Sequence, residues 1–170
     1  DRYLGVDDLL AIRDRLIGSG RIGGKAAGML LARRILASGD SERDEPALED
    51  VLDEHDSFYI GSDVFFTFLV ANGLFRPRLQ VHRQEDYSRG RYEDLVGDFM
   101  AGAFPEAILE AFEAMLAHYG ESPIIVRSSS FLEDGFGHAF AGKYHSEFVA
   151  NQGTVAERLE AFLRDWARQE

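Results

Sequence analysis

The chain contains no cysteine, only four prolines and a single tryptophan. Without cysteine there can be no disulfide, no thiolate catalysis and no zinc or iron–sulfur site with Cys ligands. Long apolar runs are also missing, since none reaches the ~18–20 residues of a membrane span. We therefore expect a protein without membrane attachment, and the lack of cysteine fits a reducing, cytoplasmic location.

Positive charge is scarce as well. Lys and Arg total 18 against 30 Asp and Glu, which gives a net charge of −12. Binding to nucleic acid or to an anionic membrane requires clustered cations, so both partners are disfavoured. Hydrophobic residues make up 45% of the 170 residues, which is enough for a packed core. The chain begins at Asp1 rather than Met, so we expect residues 1–170 to be a fragment of a longer protein, with a length that suits a single domain.

The charges are unevenly distributed. Residues 1–37 carry seven basic and four acidic groups, net +3, whereas residues 38–60 carry nine acids against one arginine, net −8. We interpret residues 40–56 as an exposed acidic loop. In an acidic protein, a locally basic stretch is where an anionic ligand would most readily bind.

Hydrophobic periodicity predicts a helix-rich mixed α/β domain with a small sheet. The predicted helices cover residues 6–17, 24–39, 63–72, 93–101, 105–119 and 154–166. The predicted strands cover residues 58–60, 124–126 and 144–149, and residues 76–91 read as irregular. Ser62 is the expected N-cap of the third helix and Gly73 its C′ residue, while Thr154 and Glu157 form a capping box.

A glycine-rich turn, residues 18–23, matches the G-x-G-x-x-G pattern of dinucleotide-binding proteins. That fingerprint requires a preceding strand, and the segment before Gly18 is predicted to be helical. A Rossmann dehydrogenase is therefore the weakest interpretation. A P-loop is excluded because its spacing requires glycine and Ser or Thr where this chain has Ser19 and Ala26.

Gly23, Gly24 and Lys25 stand at a predicted helix start. Free backbone N–H groups and the helix dipole favour an anion there, and Lys25 adds a positive charge. A flexible turn with a solvated lysine explains the same residues, and both interpretations remain open.

The most informative stretch follows the strand at 124–126. Arg127 is the last residue of that strand, and open α/β sheets bind ligands at this end of their strands. Its planar guanidinium group can donate two parallel hydrogen bonds to a phosphate. Residues 128–130 are three serines able to donate hydrogen bonds, and Glu133 and Asp134 follow. The alternative is an ion pair between Arg127 and Glu133 beside a serine turn.

Two motifs in this order resemble the N-terminal nucleotide-binding domain of the phosphoenolpyruvate synthase and pyruvate phosphate dikinase family. They are Ile22-Gly23-Gly24-Lys25-Ala26-Ala27 and Val126-Arg127-Ser128-Ser129-Ser130, the second followed by Glu133-Asp134 and Phe140-Ala141-Gly142. Residues 58–74, which end in Asn72-Gly73-Leu74, also resemble the segment between the motifs. The resemblance covers about residues 20–150.

This resemblance implies the first part of an ATP-grasp-like domain in an ATP-dependent phosphotransferase. ATP would pass a phosphoryl group, through a phosphohistidine on another domain of the same parent chain, to pyruvate or a related acceptor. Lys25 and Arg127 would contact the ATP phosphates, with Arg127 the catalytic residue. The remaining implied nucleotide-binding residues are Gly23, Gly24, Ser128, Ser129, Glu133 and Asp134.

The resemblance also implies Mg²⁺ whose ligands lie outside this chain, pyruvate- or phosphoenolpyruvate-binding domains elsewhere in the parent, and no turnover by the chain alone. We also expect a homodimer, because exposed apolar surface on such a partial domain favours self-association. Lys143, where the family has Gln, and the acidic insert at 40–56 favour an alternative: a non-catalytic nucleotide-sensing or protein-interaction module with a degenerate ATP-grasp fold. Lys25 and Arg127 are both intact, which favours the enzyme.

Overall fold

A computed structural model describes residues 3–37, 56–82, 89–128, 134–135, 138–139 and 146–169. Within these ranges the chain is helix-rich with short strands, which confirms the predicted mixed α/β class. The helices are α1 (Val6–Asp14), α2 (Gly24–Ala37), α3 (Ser62–Ala71), α4 (Phe75–His82), α5 (Arg89–Ala101), α6 (Glu106–Tyr119) and α7 (Val155–Gln169). The strands are β1 (Leu16–Ile17), β2 (Tyr59–Ile60), β3 (Ile124–Arg127), β4 (Asp134–Gly135), β5 (His138–Ala139) and β6 (Ser146–Val149).

The described strands pair two by two. β1 and β2 are parallel, with α2 in the connection between them, whereas β4 and β5 are antiparallel. β3 and β6 are also antiparallel, and their register sets Ile125 opposite Phe148 and Arg127 opposite Ser146. The sheet expected from the sequence is therefore small and divided.

The core is built from aromatic rings on α3, α6 and α7. Phe112 is fully buried, and its ring centroid lies 5.3 Å from that of Phe104 and 5.0 Å from that of Phe162. Trp166 of α7 lies 5.3 Å from Phe68 of α3 in an edge-on contact, the geometry that aromatic pairs favour. One face of β3 packs on this core, so the other face carries Arg127 outward.

The C-terminal end of α3 is closed by a Schellman motif. The Gly73 and Leu74 amides donate to the carbonyls of Val70 and Leu69, and Gly73 has the left-handed φ of +69° that the motif requires. The Asn72 side chain both donates to and accepts from the backbone of Ala103, at 2.9 Å in each case. The predicted C′ role of Gly73 is thereby confirmed, and this end of the helix is anchored to the loop before α6.

Two buried polar side chains hold the C-terminal end of α6. Asn151, itself at φ +54°, donates to the carbonyls of Gly120 and Ser122 at 2.9 and 2.8 Å. Arg158 of α7 donates to the carbonyls of Leu116 and Gly120. A cation at this end of a helix also complements the helix dipole. Both contacts lock α6 to the C-terminal part of the chain.

Several predicted elements need correction. The first helix stops at Asp14 rather than at residue 17, because residues 16 and 17 pair with β2 and Ile17 is buried. Ser62 is the first residue of α3 and Gly61 its N-cap. Much of the stretch predicted as irregular, residues 76–91, belongs to α4 and α5. Residues 40–55 of the acidic loop lie outside the described ranges.

Most of the remaining predictions agree with the structure, although residues 38–39 of the second predicted helix and residues 144–145 of the last predicted strand lie outside the described ranges. α2 begins at Gly24 as expected, and β3 contains the whole predicted strand. Pro105 is the N-cap of α6 rather than its first residue. The capping box is confirmed: the Thr154 amide donates to Glu157 Oε2 at 2.8 Å, and the Glu157 amide donates to Thr154 Oγ1 at 3.3 Å.

Candidate functional site

The glycine-rich turn wraps around the carboxylate of Asp63. The Ser19 amide donates to Oδ2 at 2.8 Å, the Gly20 amide donates to Oδ1 at 2.6 Å, and the Ser19 hydroxyl donates to Oδ2 at 3.2 Å. Next to it, the Arg21 amide donates to the Ser62 hydroxyl at 3.1 Å, while the Ser62 amide donates to the Arg21 carbonyl at 3.0 Å. The start of α3 thus holds the turn through both backbone and side chains.

Three glycines are required by this packing. A Cβ on Gly20 would lie 2.5 Å from Asp63 Oδ1, and one on Gly61 would overlap the same atom. At Gly18 a Cβ would lie 2.7 Å from Asp63 Oδ1, and its φ of +89° is left-handed. Two of the three glycines in the pattern that looks like a dinucleotide fingerprint, Gly18 and Gly20, are therefore explained by close approach to a carboxylate of the chain itself.

This arrangement bears on the dinucleotide interpretation. A strand, β1, does precede Gly18, contrary to the predicted helix. The amides of Ser19 and Gly20 that would receive a pyrophosphate instead bind Asp63, which acts as an internal anion. The turn at 18–20 is thus structural, and a phosphate would have to bind further along the chain.

Acid weakens this contact. Burial raises the pKa of Asp63, but the hydrogen bonds from Ser19 and Gly20 lower it more, so its net pKa lies below the ordinary value. Such a carboxyl stabilises the fold above its unfolded pKa of about 3.9, and that contribution is lost as the pH falls through the lower folded value.

We expect Asp63→Asn to lower the free energy of unfolding by about 1–2 kcal/mol at neutral pH, a modest figure because the site is partly exposed to water. Thermal unfolding of both proteins between about pH 2 and pH 7 checks the cause. The difference in Tm should shrink as the pH falls below about 4. A difference that stayed constant over the whole range would contradict the role of the charge.

The first predicted motif lies at the start of α2. Gly24 and Lys25 are the first two helical residues, and all three residues from Gly23 to Lys25 are half-buried. The Ala27 amide donates to the Gly23 carbonyl at 3.1 Å, so Gly23 already takes part in the first turn. The prediction of a helix start at these residues is confirmed. Their contact with a phosphate remains a prediction.

The second motif lies at the end of β3. Arg127 is the last residue of the strand, exposed and in register with Ser146. Ser128 follows directly, and its Oγ is buried with no hydrogen-bond partner in the described part of the chain. A buried hydroxyl without a partner is costly unless a ligand or water completes it. The residues present therefore fit a phosphate, which accepts hydrogen bonds from hydroxyl and guanidinium groups alike.

Only some of the other predicted site residues can be assessed. Asp134 lies in β4, and this strand contacts α2, the helix that begins with Gly24 and Lys25. The fold thus brings together segments that are about 100 residues apart in sequence. Ser129 and Glu133 lie outside the described residues. Among the described residues Arg127 has no carboxylate partner, so the alternative of a pair with Glu133 stays open.

The outward face of the β3–β6 pair, which we call the open face, combines apolar and polar groups. It carries Ile125 and Phe148 opposite one another, and Arg127 and Ser146 next to them. Phe148 is 80% exposed, an unusual value for a phenylalanine in a strand. An apolar surface bordered by an arginine is suited to a ligand or a protein partner.

A second side-chain cluster was not predicted from the sequence. Asp56 joins His118 Nε2 at 2.5 Å and Arg15 at 3.1 Å, and Tyr119 donates its hydroxyl to the Asp56 carbonyl at 3.0 Å. Burial, and then the Asp56 carboxylate, raise the pKa of Tyr119. The cluster lies at the amino-terminal ends of β1 and β2, opposite the turn held by Asp63. Its residues come from three separate segments, so no local pattern marks it.

Two features are absent from the described residues. No group of three or more His, Asp or Glu side chains there is arranged to hold a metal ion. No helix within those ranges has the length and apolar character needed to span a membrane.

The family model described as "Pyruvate phosphate dikinase, AMP/ATP-binding domain" matches residues 19–169. The chain therefore belongs to this family of AMP/ATP-binding domains, and the resemblance drawn from the two motifs is confirmed. No curated protein and no solved structure is significantly similar to the chain.

Proposed function

We propose that the chain is the ATP-binding portion of a phosphotransferase of the phosphoenolpyruvate synthase and pyruvate phosphate dikinase type. One observation carries the proposal: Arg127 stands exposed at the end of β3, directly before a buried Ser128 hydroxyl that has no hydrogen-bond partner among the described residues, in a domain of an AMP/ATP-binding family. In the parent, ATP would donate a phosphoryl group through a phosphohistidine on another domain to pyruvate or a related acceptor.

The residues at the end of β3 would bind the polyphosphate. The Arg127 guanidinium can donate two parallel hydrogen bonds to phosphate oxygens, and Ser128 can donate a third through its Oγ. Phosphoryl transfer needs little covalent chemistry from the protein, so positioning and positive charge account for most of its contribution. Arg127 would accordingly hold the transferring group and stabilise its charge.

The start of α2 would complete the site. Its backbone amides at Gly23 and Gly24 and the ammonium of Lys25 favour an anion. The helix also contacts β4, the strand that contains Asp134. We further propose that Ser129 supports the strand end and that Glu133 and Asp134 order the loop after it. The nucleotide would then lie between the two motifs, as in an ATP-grasp-like cleft.

Other properties of the parent follow from the same proposal. Mg²⁺ would neutralise charge on the phosphates, held by ligands outside this chain. The phosphohistidine and the pyruvate- or phosphoenolpyruvate-binding parts would belong to other domains, so the chain alone should show no phosphotransfer. The cysteine-free composition supports a cytoplasmic location.

Calorimetric titration of the chain with Mg-ATP and, separately, with tripolyphosphate tests the proposal. Tripolyphosphate has no base or ribose, so it reports on the phosphate site alone. The proposal requires saturable binding of both ligands. If the chain bound neither Mg-ATP nor tripolyphosphate, the non-catalytic interaction module would be favoured. Absence of phosphotransfer activity in the full-length parent would favour it as well.

Apolar side chains exposed on α1 and α2 support a homodimer. Neither helix has a buried residue, and both present large apolar groups to solvent. These groups are Val6, Leu9, Leu10, Met29, Leu31, Ile35 and Leu36. We expect sedimentation equilibrium to show concentration-dependent self-association, because such surface favours burial. Replacing Leu9 and Ile35 by serine should reduce it, whereas a wild-type chain that stays monomeric at high concentration would contradict the homodimer.

A further inference from the structure

We propose that Asp63 is a positioning residue for the phosphate site: its carboxylate holds the turn at 18–20, and this turn sets the start of α2, where Lys25 lies. The inference rests on the proposed function, because it assigns Asp63 a role through Lys25. Asp63 itself contacts no ligand in this scheme.

Asp63 binds the turn at 18–20 through both of its carboxylate oxygens. Its two oxygens accept three hydrogen bonds, from the Ser19 and Gly20 amides and from the Ser19 hydroxyl, at distances between 2.6 and 3.2 Å. Hydrogen bonds to an ionised acceptor are stronger than neutral ones. A turn rich in glycine has many conformations available, so several charge-assisted bonds are needed to select one.

Asp63 is itself held in place by the hydrophobic core. It is the second residue of α3, and the next residue, Val64, is buried in the core with an exposed fraction of 1%. Ile17, just before the turn, belongs to the same core. The carboxylate therefore projects from a rigid helix into a turn whose preceding strand is also fixed.

A short connection joins the turn at 18–20 to Lys25. Ser62 forms hydrogen bonds with both backbone groups of Arg21: its hydroxyl accepts from the Arg21 amide, and its amide donates to the Arg21 carbonyl. Only three residues separate Arg21 from Lys25, and the helix has begun by Gly24. Because this connection is short, the position of residues 18–20 fixes where α2 begins. If residues 18–20 were not held, Lys25 would be poorly positioned to contact a phosphate.

Mg-ATP affinity of the 170-residue chain tests the inference. Asp63→Asn keeps the side-chain shape but removes the charge and replaces one acceptor with a donor. We expect it to weaken Mg-ATP binding by about tenfold, the lower end of the effect that outer supporting residues have on a bound ligand. Ser62→Ala, which removes only the acceptor for Arg21, should weaken it in the same direction by a smaller factor, and it provides a readout if Asp63→Asn does not fold.

Asn72→Ala is the matched control. Asn72 lies at the other end of α3, and its loss removes the contacts with Ala103 without touching the turn. Both variants should unfold at lower temperature than wild type, but only Asp63→Asn should alter Mg-ATP affinity. Equal weakening by the two variants would show that loss of stability alone is responsible and would overturn the inference.

A double-mutant cycle with Lys25 tests the route. If Asp63 acts through Lys25, then Asp63→Asn should change affinity by less than about twofold in a Lys25→Ala background, because coupled residues are not additive. Full additivity would overturn the inference. An unchanged affinity in Lys25→Ala alone would refute the proposed phosphate role of Lys25. Weakening by Lys25→Ala without weakening by Asp63→Asn would refute only the positioning role.

Discussion

Replacing Arg127 by alanine is expected to weaken Mg-ATP binding by about 10- to 100-fold, because a hydrogen bond to a charged group contributes about 1.5–3 kcal/mol and each 1.4 kcal/mol is a factor of ten. Tripolyphosphate should be affected to the same degree, since the lost contact is to phosphate. In the proposed full-length phosphotransferase the same change should abolish phosphoryl transfer. The fold should persist, because Arg127 is exposed on the outward side of β3.

Arg164→Ala is the matched control for this prediction. Arg164 is also exposed, lies on α7 and pairs with Glu160 one helical turn away at 2.9 Å. Such surface pairs contribute about 0.3–0.5 kcal/mol, so its loss should leave both stability and ATP affinity almost unchanged. Equal affinities for Arg127→Ala and wild type would remove Arg127 from the phosphate site and, with it, the central residue of the proposal.

The stability of the domain depends strongly on the buried ring of Phe112. Phe112→Ala should lower the free energy of unfolding by about 3–5 kcal/mol, because it opens a cavity where a fully buried ring contacts Phe104 and Phe162. Domains are commonly stable by about 5–15 kcal/mol, so the variant would be close to unfolding. Urea denaturation at 25 °C measures the difference.

The same substitution at Phe148 provides the comparison. Phe148 is 80% exposed, so its replacement by alanine should change the free energy of unfolding by no more than about 0.5 kcal/mol. If the two variants lost similar stability, the core described around α3, α6 and α7 would be incorrect.

Helices and strands that are determined by neighbouring residues in the chain could be predicted from the sequence. Strand β3 is β-branched along most of its length, and the Thr154–Glu157 capping box marks the start of α7. Gly73 terminates α3 because only a left-handed residue closes that motif. In these cases the residues that determine the structure are neighbours in the chain.

Elements that depend on distant partners could not be predicted. β1 has only two residues, and it is a strand because it pairs with β2, about 40 residues later. Helix α4 contains a proline and two arginines, which obscure its pattern, yet Arg78 covers the ring of Phe65 at 4.4 Å from its centroid. Long charged side chains can cover apolar surface in this way, and periodicity does not reveal it.

The candidate site shows the same division. Arg127 and the start of α2 were predicted because a strand end and a helix start have recognisable residues. Asp63 was predicted only as the first residue of the third helix, since its partners at Ser19 and Gly20 are more than 40 positions away. The Arg15–Asp56–His118 cluster escaped prediction for the same reason.

Chemical-shift mapping of backbone amides during titration with Mg-ATP tests the central claim most directly, because it locates the ligand without any substitution. The account predicts the largest changes at Gly24, Lys25, Arg127 and Ser128, two segments about 100 residues apart in sequence that respond together. Changes confined to the opposite end of β1 and β2, around Arg15 and His118, would contradict it. So would a titration in which neither the start of α2 nor the end of β3 responds.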